Sequence, residues 1–476
     1  MLTHTRKAYV ETYGCQMNIA DGEVMQGILA RAGYVLVHSP EEADVILVNT
    51  CAIRDHAEQR VIGRVGELAR IKQERPDVVI GVTGCMAQRM GTQLLERAAY
   101  VELVMGPDMY RTLPEALAQL RPSPQHASRV TRHASRERRA LPVLTEEAPH
   151  TAVPPRLAML EFAAHENYEG LEVHRTSRVS AWVPVQRGCN YRCTYCIVPY
   201  VRGPEKNRDP ERILDEVRSL AEQGIPEVVL LGQTVNSYEH GEWNFARLLR
   251  AVARVDGIRR VRFTSPHPND FTDDLVEVMA AESAVCKQLH LPVQSGHNRT
   301  LKRMLRRYTV ETYLEKLERV RNAVPNIALS TDVIVAFPGE TADEYQATLE
   351  LMRTVRYDDA YLYKYSRREG TPATRLPSEQ WVPDEEAQDR LERIIALHRG
   401  IQAEINRAEV GRTVDVLIER AARSAGDVLG RTEANKVVAF AGVESRIGEF
   451  THVRLRATSG ATFTGEEVHE SAFRVA

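Results

Sequence analysis

The sequence contains no run of about 18 or more uncharged apolar residues, the length a membrane-crossing helix needs. Its opening, Met1 to Val10, lacks the apolar stretch of a secretory leader. Both absences predict a cytoplasmic protein with no membrane partner. Cysteine is scarce: seven among 476 residues, too few and too unevenly placed for a secreted disulfide scaffold. A reducing compartment is the better fit. Net charge is nearly absent too, at −3, so the chain as a whole does not advertise a polyanionic partner. Any nucleic-acid binding then has to come from local patches or from shape.

What is present is an ordinary globular composition, 43% hydrophobic and 27% charged. At roughly 150 residues per domain the length predicts about three domains. The first piece reads as repeated strand-helix units: KAYVETYGC, DVILVNTC and VVIGVTGC, with helical patterns such as EVMQGILARAG between them. Each of these β-branched segments ends in a cysteine: Cys15, Cys51 and Cys85. In a parallel sheet the three sulfurs would emerge at its carboxyl edge, where such folds bind ligands. Buried apolar thiols are the plain alternative for such residues, and the isolated Cys286 is read that way.

Apolar periodicity then fades through an arginine-rich stretch, SPQHASRVTRHASRERRALP, read as a solvated linker. Strands and helices alternate again from Ala181 to about Ile405: VPVQRG, EVVLLG, RVRFTS, KQLHLPV, ALSTDVIVAF and AYLYKYS. Six βα units imply an open or partial barrel of parallel strands. One of its helices shows the usual signals, with Asp209 as cap, Pro210 in the first turn and Ile213, Leu214, Val217, Leu220 and Ala221 on one apolar face before Gly224. From about Arg412 the segments TVDVLIE, DVLGRTEANKVVAF, THVRLRAT and TFTGEEV are short and alternating, which describes a small β-barrel. Such a barrel binds nucleic acid in some proteins and is a structural cap in others.

The densest chemistry lies in Gly188-Cys189-Asn190-Tyr191-Arg192-Cys193-Thr194-Tyr195-Cys196, on a loop after the first strand of the second βα series. Soft thiolates suit iron-sulfur clusters, and three of them leave the fourth iron of a cubane without a protein ligand, open to a substrate. Zinc is the competing metal, but it normally takes four ligands and paired spacing. This CxxxCxxC loop resembles the signature of the radical S-adenosylmethionine superfamily. The resemblance implies that the amino and carboxylate groups of S-adenosylmethionine chelate the open iron and that an electron from the cluster breaks its sulfonium bond to give a deoxyadenosyl radical. It also implies cofactor contacts from Tyr195, from Gly232, Gln233 and Asn236, from Ser330 and Asp332, and from the region between Val335 and Gly339.

The second trio narrows the family. Its contexts, Tyr13-Gly14-Cys15-Gln16-Met17-Asn18, Val48-Asn49-Thr50-Cys51-Ala52-Ile53-Arg54 and Thr83-Gly84-Cys85-Met86-Ala87, are similar to those of the methylthiotransferases, which carry an auxiliary 4Fe-4S cluster on an α/β domain ahead of the radical core. Gln16-Met17-Asn18, Ala52-Ile53-Arg54, Leu231 to Asn236 and Gly430 to Asn435 resemble the branch that acts on tRNA. Ala336 departs from the family, which often has glycine before Phe337-Pro338-Gly339.

The resemblance implies an α/β multidomain chain: an N-terminal parallel-sheet domain at 5–122 with the auxiliary cluster, a linker at 123–174, a partial (βα)6 radical core at 175–405 and a TRAM-like RNA-binding barrel at 408–471. It implies two 4Fe-4S clusters, each held by three cysteines, with S-adenosylmethionine as both methyl donor and radical source. The auxiliary cluster handles the sulfur. The implied reaction is methylthiolation of C2 of N6-isopentenyladenosine at position 37 of tRNA, beside the anticodon. The implied partners are that tRNA, an electron-donor protein and a sulfur source, with the enzyme a monomer. A ribosomal protein or another modified adenosine as substrate, and a non-catalytic metal-stabilised RNA-binding protein, stand as alternatives. RNA contact is expected from shape and a few arginines such as Arg431. The run Arg299, Lys302, Arg303, Arg306, Arg307 with Tyr308 is read either as a phosphate contact or as a solvated helix face. His267, His290 and His297 are expected to pack or hydrogen-bond rather than ligate metal.

Overall fold

The structure, a computed structural model, describes residues 5–52, 55–121 and 155–468. Ile53 and Arg54, most of the expected linker and the residues after 468 lie outside them. The chain divides into two compact units, one running to His174 and including Tyr200–Gly203, the other comprising Arg175–Pro199 and everything from Pro204.

The first unit is built on β1 (Lys7–Thr12), β2 (Val35–Leu36), β3 (Val45–Thr50), β4 (Val79–Gly84), β5 (Leu103–Met105) and β6 (Leu157–Met159), all parallel in the order β2-β1-β3-β4-β5-β6. Every residue of β3 and β4 is buried, because helices cover both faces of the sheet. Helix α1 (Gln16–Arg31) packs Val24, Met25, Ile28 and Leu29 onto the face made by Ala8, Val45, Leu47 and Val79. On the opposite face Ile46, Val48, Ile80 and Val82 meet Val61, Val65 and Leu68 of α2 (Asp55–Glu74) and Met86 and Met90 of α3 (Cys85–Met90). The strand-helix units read from the sequence are therefore present.

Residues 155–174 differ from the linker expected there. β6 extends the sheet by pairing with β5, and Tyr168 is buried with its hydroxyl donated to Asp21 and to the Pro107 carbonyl. Three residues of strand are too few to show a period, so this segment reads as loop in sequence and is fixed by its tertiary partners.

In the second unit, strands Ser180–Pro184, Glu227–Leu231 and Arg260–Phe263 form one parallel trio, and Gln288–His290, Ala328–Val335 and Asp359–Lys364 another. A parallel bridge between Val261 and Val285 continues the first trio toward the second. These are the six strands expected of the partial barrel. The helix Pro210–Glu222 starts as its sequence predicts, with the Asp209 carboxylate accepting from the amides of Glu211 and Arg212, and it buries Ile213, Leu214, Val217 and Leu220. After the long helix Asp384–Glu409, five strands between Thr413 and Glu467 close into a barrel around Val416, Ile418, Val428, Val438, Phe440, Val453, Leu455 and Phe463. Among the described residues no helix is long and apolar enough to cross a membrane.

Ala336, which departs from the expected glycine, sits at φ +58°. That left-handed conformation is costly for a residue with a Cβ. It is held by the Ala336 amide donating to Glu340 at 2.6 Å, and Glu340 is in turn clamped by Arg390 at 2.8 Å. Relieving the strain with Ala336→Gly is expected to raise the unfolding free energy by up to about 1 kcal/mol, since the extra unfolded-state entropy of glycine offsets part of the gain. A thermal midpoint that falls instead would show that the site prefers alanine.

Candidate active site at two cysteine trios

Because β1, β3 and β4 are neighbours and run parallel, the residues just past their carboxyl ends emerge side by side, and these residues are Cys15, Cys51 and Cys85. The loops are packed tightly. A Cβ on Gly14, at φ +139°, would lie 2.5 Å from the Cys51 Cβ, and one on Gly84, at φ +93°, 2.5 Å from the Thr50 carbonyl oxygen. Only glycine fits before these two cysteines. Two fully buried asparagines tie the loops together: Asn18 donates to the Thr50 carbonyl at 3.2 Å and Asn49 to the Asn18 carbonyl at 2.7 Å. The Cys15 thiol donates to Asn18 Oδ1 at 3.3 Å.

The surroundings treat the three thiols unequally. Hydrogen bonding from Cys51, aided by the charge of Arg202, brings the Cys15 thiol down to about 6 despite its burial. Burial pushes Cys85 up, and Arg202 opposes that. Arg202 is itself 3% exposed, and it donates Nε to the Cys85 sulfur at 3.2 Å and Nη2 to Asp21 at 2.7 Å.

In the second unit the loop from Gly188 to Cys196 is pinned at several points. Gly188 donates its amide to Gln233 Oε1 at 2.5 Å, and the Cys189 sulfur lies 3.2 Å from the Thr234 hydroxyl. Thr194 donates its amide to the Met304 carbonyl and its hydroxyl to the Arg303 carbonyl, at 3.1 and 2.9 Å. Cys196 closes a turn onto the Cys193 carbonyl at 3.0 Å. Tyr191 donates to both oxygens of Asp270 and stacks on His267 with ring centroids 3.8 Å apart. Arg306, 9% exposed, places Nη1 3.5 Å from the Cys193 sulfur. Burial raises Cys196 to about 12 and pushes Cys189 up as well, so these thiols ionise when a metal takes the proton's place.

Both trios offer three soft sulfurs with a buried cation against one of them, a donor set that fits an iron-sulfur cluster with one iron left open. Among the described residues no three His, Cys, Asp or Glu side chains stand close enough to share one metal ion. A cubane gives each thiolate its own iron and does not require that.

The six residues expected to contact S-adenosylmethionine are placed as follows. Tyr195 packs on Met304, Phe337 and Ala373. Gly232 lies where a Cβ would come within 2.8 Å of Gln186 Oε1, and Gln233 holds the Gly188 amide. Asn236 donates to the His267 carbonyl at 2.9 Å and accepts from its amide at 2.7 Å. Ser330 and Asp332 come together around His290, with Ser330 Oγ 3.0 Å from Nδ1 and Asp332 3.6 Å from Nε2, and Tyr361 stands edge-on to the same ring. His267 is stacked and His297 caps the helix Asn298–Arg303.

Two readings of basic residues change. The run from Arg299 to Arg307 is neither a continuous phosphate contact nor a uniformly solvated face. Arg303 pairs with buried Glu344, Arg306 turns inward to Cys193 and the Pro292 carbonyl, and Lys302 and Arg307 remain exposed. Arg431 is held by Glu419 at 2.7 Å and by Asn435, so its charge is already compensated within the barrel. Arg202 and Arg306, the two arginines at the thiols, carry no local signal of that role. Their partners are remote in sequence, so only the fold reveals them.

Comparison with known proteins agrees with this geometry. Residues 7–106 match the uncharacterized protein family UPF0004, residues 183–352 the radical SAM superfamily and residues 407–466 the TRAM domain. A protein of Phocaeicola vulgatus called tRNA-2-methylthio-N(6)-dimethylallyladenosine synthase is 42% identical over 473 residues, covering 98% of this chain and 97% of its own. A protein of the same description from Carboxydothermus hydrogenoformans is 41% identical over 468 residues, covering 97% and 98%. Among solved structures, the radical S-adenosylmethionine methyltransferase TsrM of Kitasatospora setae, with cobalamin and a 4Fe-4S cluster bound, aligns with a TM-score of 0.54 at 16% identity, over 78% of this chain and 74% of that one. At that identity the likeness is one of fold.

Proposed function

The chain belongs to the family of the tRNA-2-methylthio-N(6)-dimethylallyladenosine synthases, and from that premise we propose how its residues divide the work. The enzyme is a radical S-adenosylmethionine methylthiotransferase that replaces the C2 hydrogen of N6-dimethylallyladenosine in tRNA with a methylthio group. Position 37, beside the anticodon, is the target. Residues 5–122 form the sulfur-handling domain, 175–405 the radical core and 408–471 the RNA-binding barrel. A donor protein supplies electrons and an external source supplies sulfur.

When bound, a 4Fe-4S cluster at Cys189, Cys193 and Cys196 supplies the electron that cleaves S-adenosylmethionine, and a second cluster at Cys15, Cys51 and Cys85 supplies the site where sulfur is held and methylated. The protein's own part is position and dryness. Gln233 and Thr234 fix the amino end of the radical loop, and Thr194 fixes its middle. Tyr195, with its apolar neighbours, offers a surface for the adenine, and Ser330 and Asp332, gathered around His290, supply polar groups for the cofactor. His267 is driven down to about 2 by burial and the nearby Arg306, so its ring stays neutral and does not compete as a proton source.

The observation that carries this reading is the pair of three-cysteine sets, one past the ends of three parallel β-strands and one within a single loop, since three thiolates leave one iron of a cubane open. The test is nucleoside mass spectrometry after anaerobic incubation of the reconstituted chain with isopentenylated tRNA, reductant, sulfide and S-adenosylmethionine. A 2-methylthio nucleoside is expected. Cleavage of S-adenosylmethionine with that tRNA left untouched would reject the substrate.

A further inference from the structure

Arg202 is the one cation seated against the Cys15, Cys51 and Cys85 trio with a direct contact to a sulfur among the described residues of that unit. Its guanidinium divides three ways. Nε donates to Cys85, Nη2 to Asp21, and Nη1 is buried with no partner among the described residues. Asp21 is fully buried on α1 and also accepts from the Tyr168 hydroxyl at 3.1 Å. An arginine removed from water beside a single carboxylate is neutral as a pair, and burial is costly for both partners. Three thiolates and a cubane add net negative charge that becomes one unit more negative on reduction. A fixed positive charge with a spare N–H nearby offsets this, and net charge and hydrogen bonds to sulfur are what set the potential of such clusters.

We infer that Arg202 is a positioning residue that holds the Cys85 thiolate and raises the reduction potential of the cluster bound by Cys15, Cys51 and Cys85, with Asp21 as the counter-charge that limits the rise. The inference rests on the proposed function, which places a cluster at this trio. Opposite effects follow for the two partners. Arg202→Met keeps the length of the side chain and deletes the charge, so the reduced state loses its compensation. Asp21→Asn leaves the arginine's charge unopposed, so the reduced state gains. A purely structural ion pair predicts no such opposition, because breaking it from either side loosens the same packing.

The experiment uses the full chain with Cys189, Cys193 and Cys196 all replaced by alanine, so that only the first trio can load. Iron is counted after anaerobic reconstitution, and the loaded protein is titrated with dithionite while the reduced cluster is followed by electron paramagnetic resonance. At the wild-type midpoint potential the ratio of reduced to oxidised cluster is expected to fall about tenfold in Arg202→Met, a shift of about 59 mV for one electron. It is expected to rise in Asp21→Asn. Arg202→Lys should restore most of the loss. Loaded variants that share the parent's midpoint, or that both move the same way, overturn the inference. If Arg202→Met fails to load, Asp21→Asn decides alone, and an unchanged or lowered midpoint rejects it. Failure of the triple-alanine parent to bind any iron would instead strike the proposed function, since no cluster would then belong to this trio.

Discussion

Cys193→Ala is expected to abolish both cleavage of S-adenosylmethionine and methylthiolation, whereas Cys51→Ala abolishes methylthiolation and leaves cleavage running. The two losses separate because the trios stand on different sheets, Cys51 past β3 of the first unit and Cys193 in the loop of the second. Cys193 is buried with Arg306 at its sulfur, and alanine there removes one of the three thiols proposed to hold the radical-generating cluster. Cys51 is likewise buried, packed against the glycine of the Cys15 loop. Losing an outer partner of a metal site typically costs about 10–100-fold, so losing a ligand should exceed about 100-fold in product. The measurement is 5′-deoxyadenosine and 2-methylthio nucleoside quantified in the same reaction, with iron content for each variant. Product from Cys51→Ala at the parent rate would remove the sulfur-handling role from the first trio. Cleavage persisting in Cys193→Ala would remove the radical role from the second.

How much of this was legible in the sequence depended on whether a feature was local. Each of the strands before Cys15, Cys51 and Cys85 is a β-branched run closed by a glycine or threonine and a cysteine. Parallel pairing then forces the three sulfurs to one edge without further information. The helix Pro210–Glu222 and the closed barrel announce themselves through cap, period and turn. The cations at the sulfurs do not. Arg202 and Arg306 stand among other arginines, and what makes them different is burial against Asp21 and Cys85 in one case and against Cys193 and the Pro292 carbonyl in the other. Leu157–Met159 was equally opaque, since a strand of three residues acquires its identity from β5 alone. The basic run misled for a related reason: spacing suggests a surface, but Arg303 faces Glu344, a partner supplied by the next helix but one.

The largest stability effect is expected at Arg262, which shows how the small barrel is seated on the radical core within the second unit. An arginine in the middle of the strand Arg260–Phe263 looks out of place, and it is 6% exposed. It donates Nε to Glu227 on the adjacent strand at 3.0 Å, Nη1 to the Glu433 carbonyl at 2.9 Å and Nη2 to the Thr432 carbonyl at 2.8 Å. The two carbonyls lie at the end of the barrel strand Asp427–Thr432 and in the turn that follows it, where Asn435 sits at φ +66°. Arg260 repeats the arrangement with the Arg431 carbonyl and Asp415, and Lys436 of the barrel returns the contact to Asp358 at 2.9 Å. Truncation by Arg262→Ala leaves Glu227 buried without its cation and takes a donor from each of two carbonyls, of which Thr432 keeps the Asn435 amide at 3.0 Å. Breaking a buried pair from one side typically costs about 3–5 kcal/mol. For a unit of this size that should lower the melting midpoint by on the order of 10 °C. Replacing both partners at once, Arg262→Met with Glu227→Leu, should recover much of the loss because no buried charge is stranded. Differential scanning calorimetry of the three proteins checks this. A midpoint for Arg262→Ala within about 2 °C of the parent would mean that water or another side chain takes over, and that the barrel is held chiefly by Arg260 and Lys436.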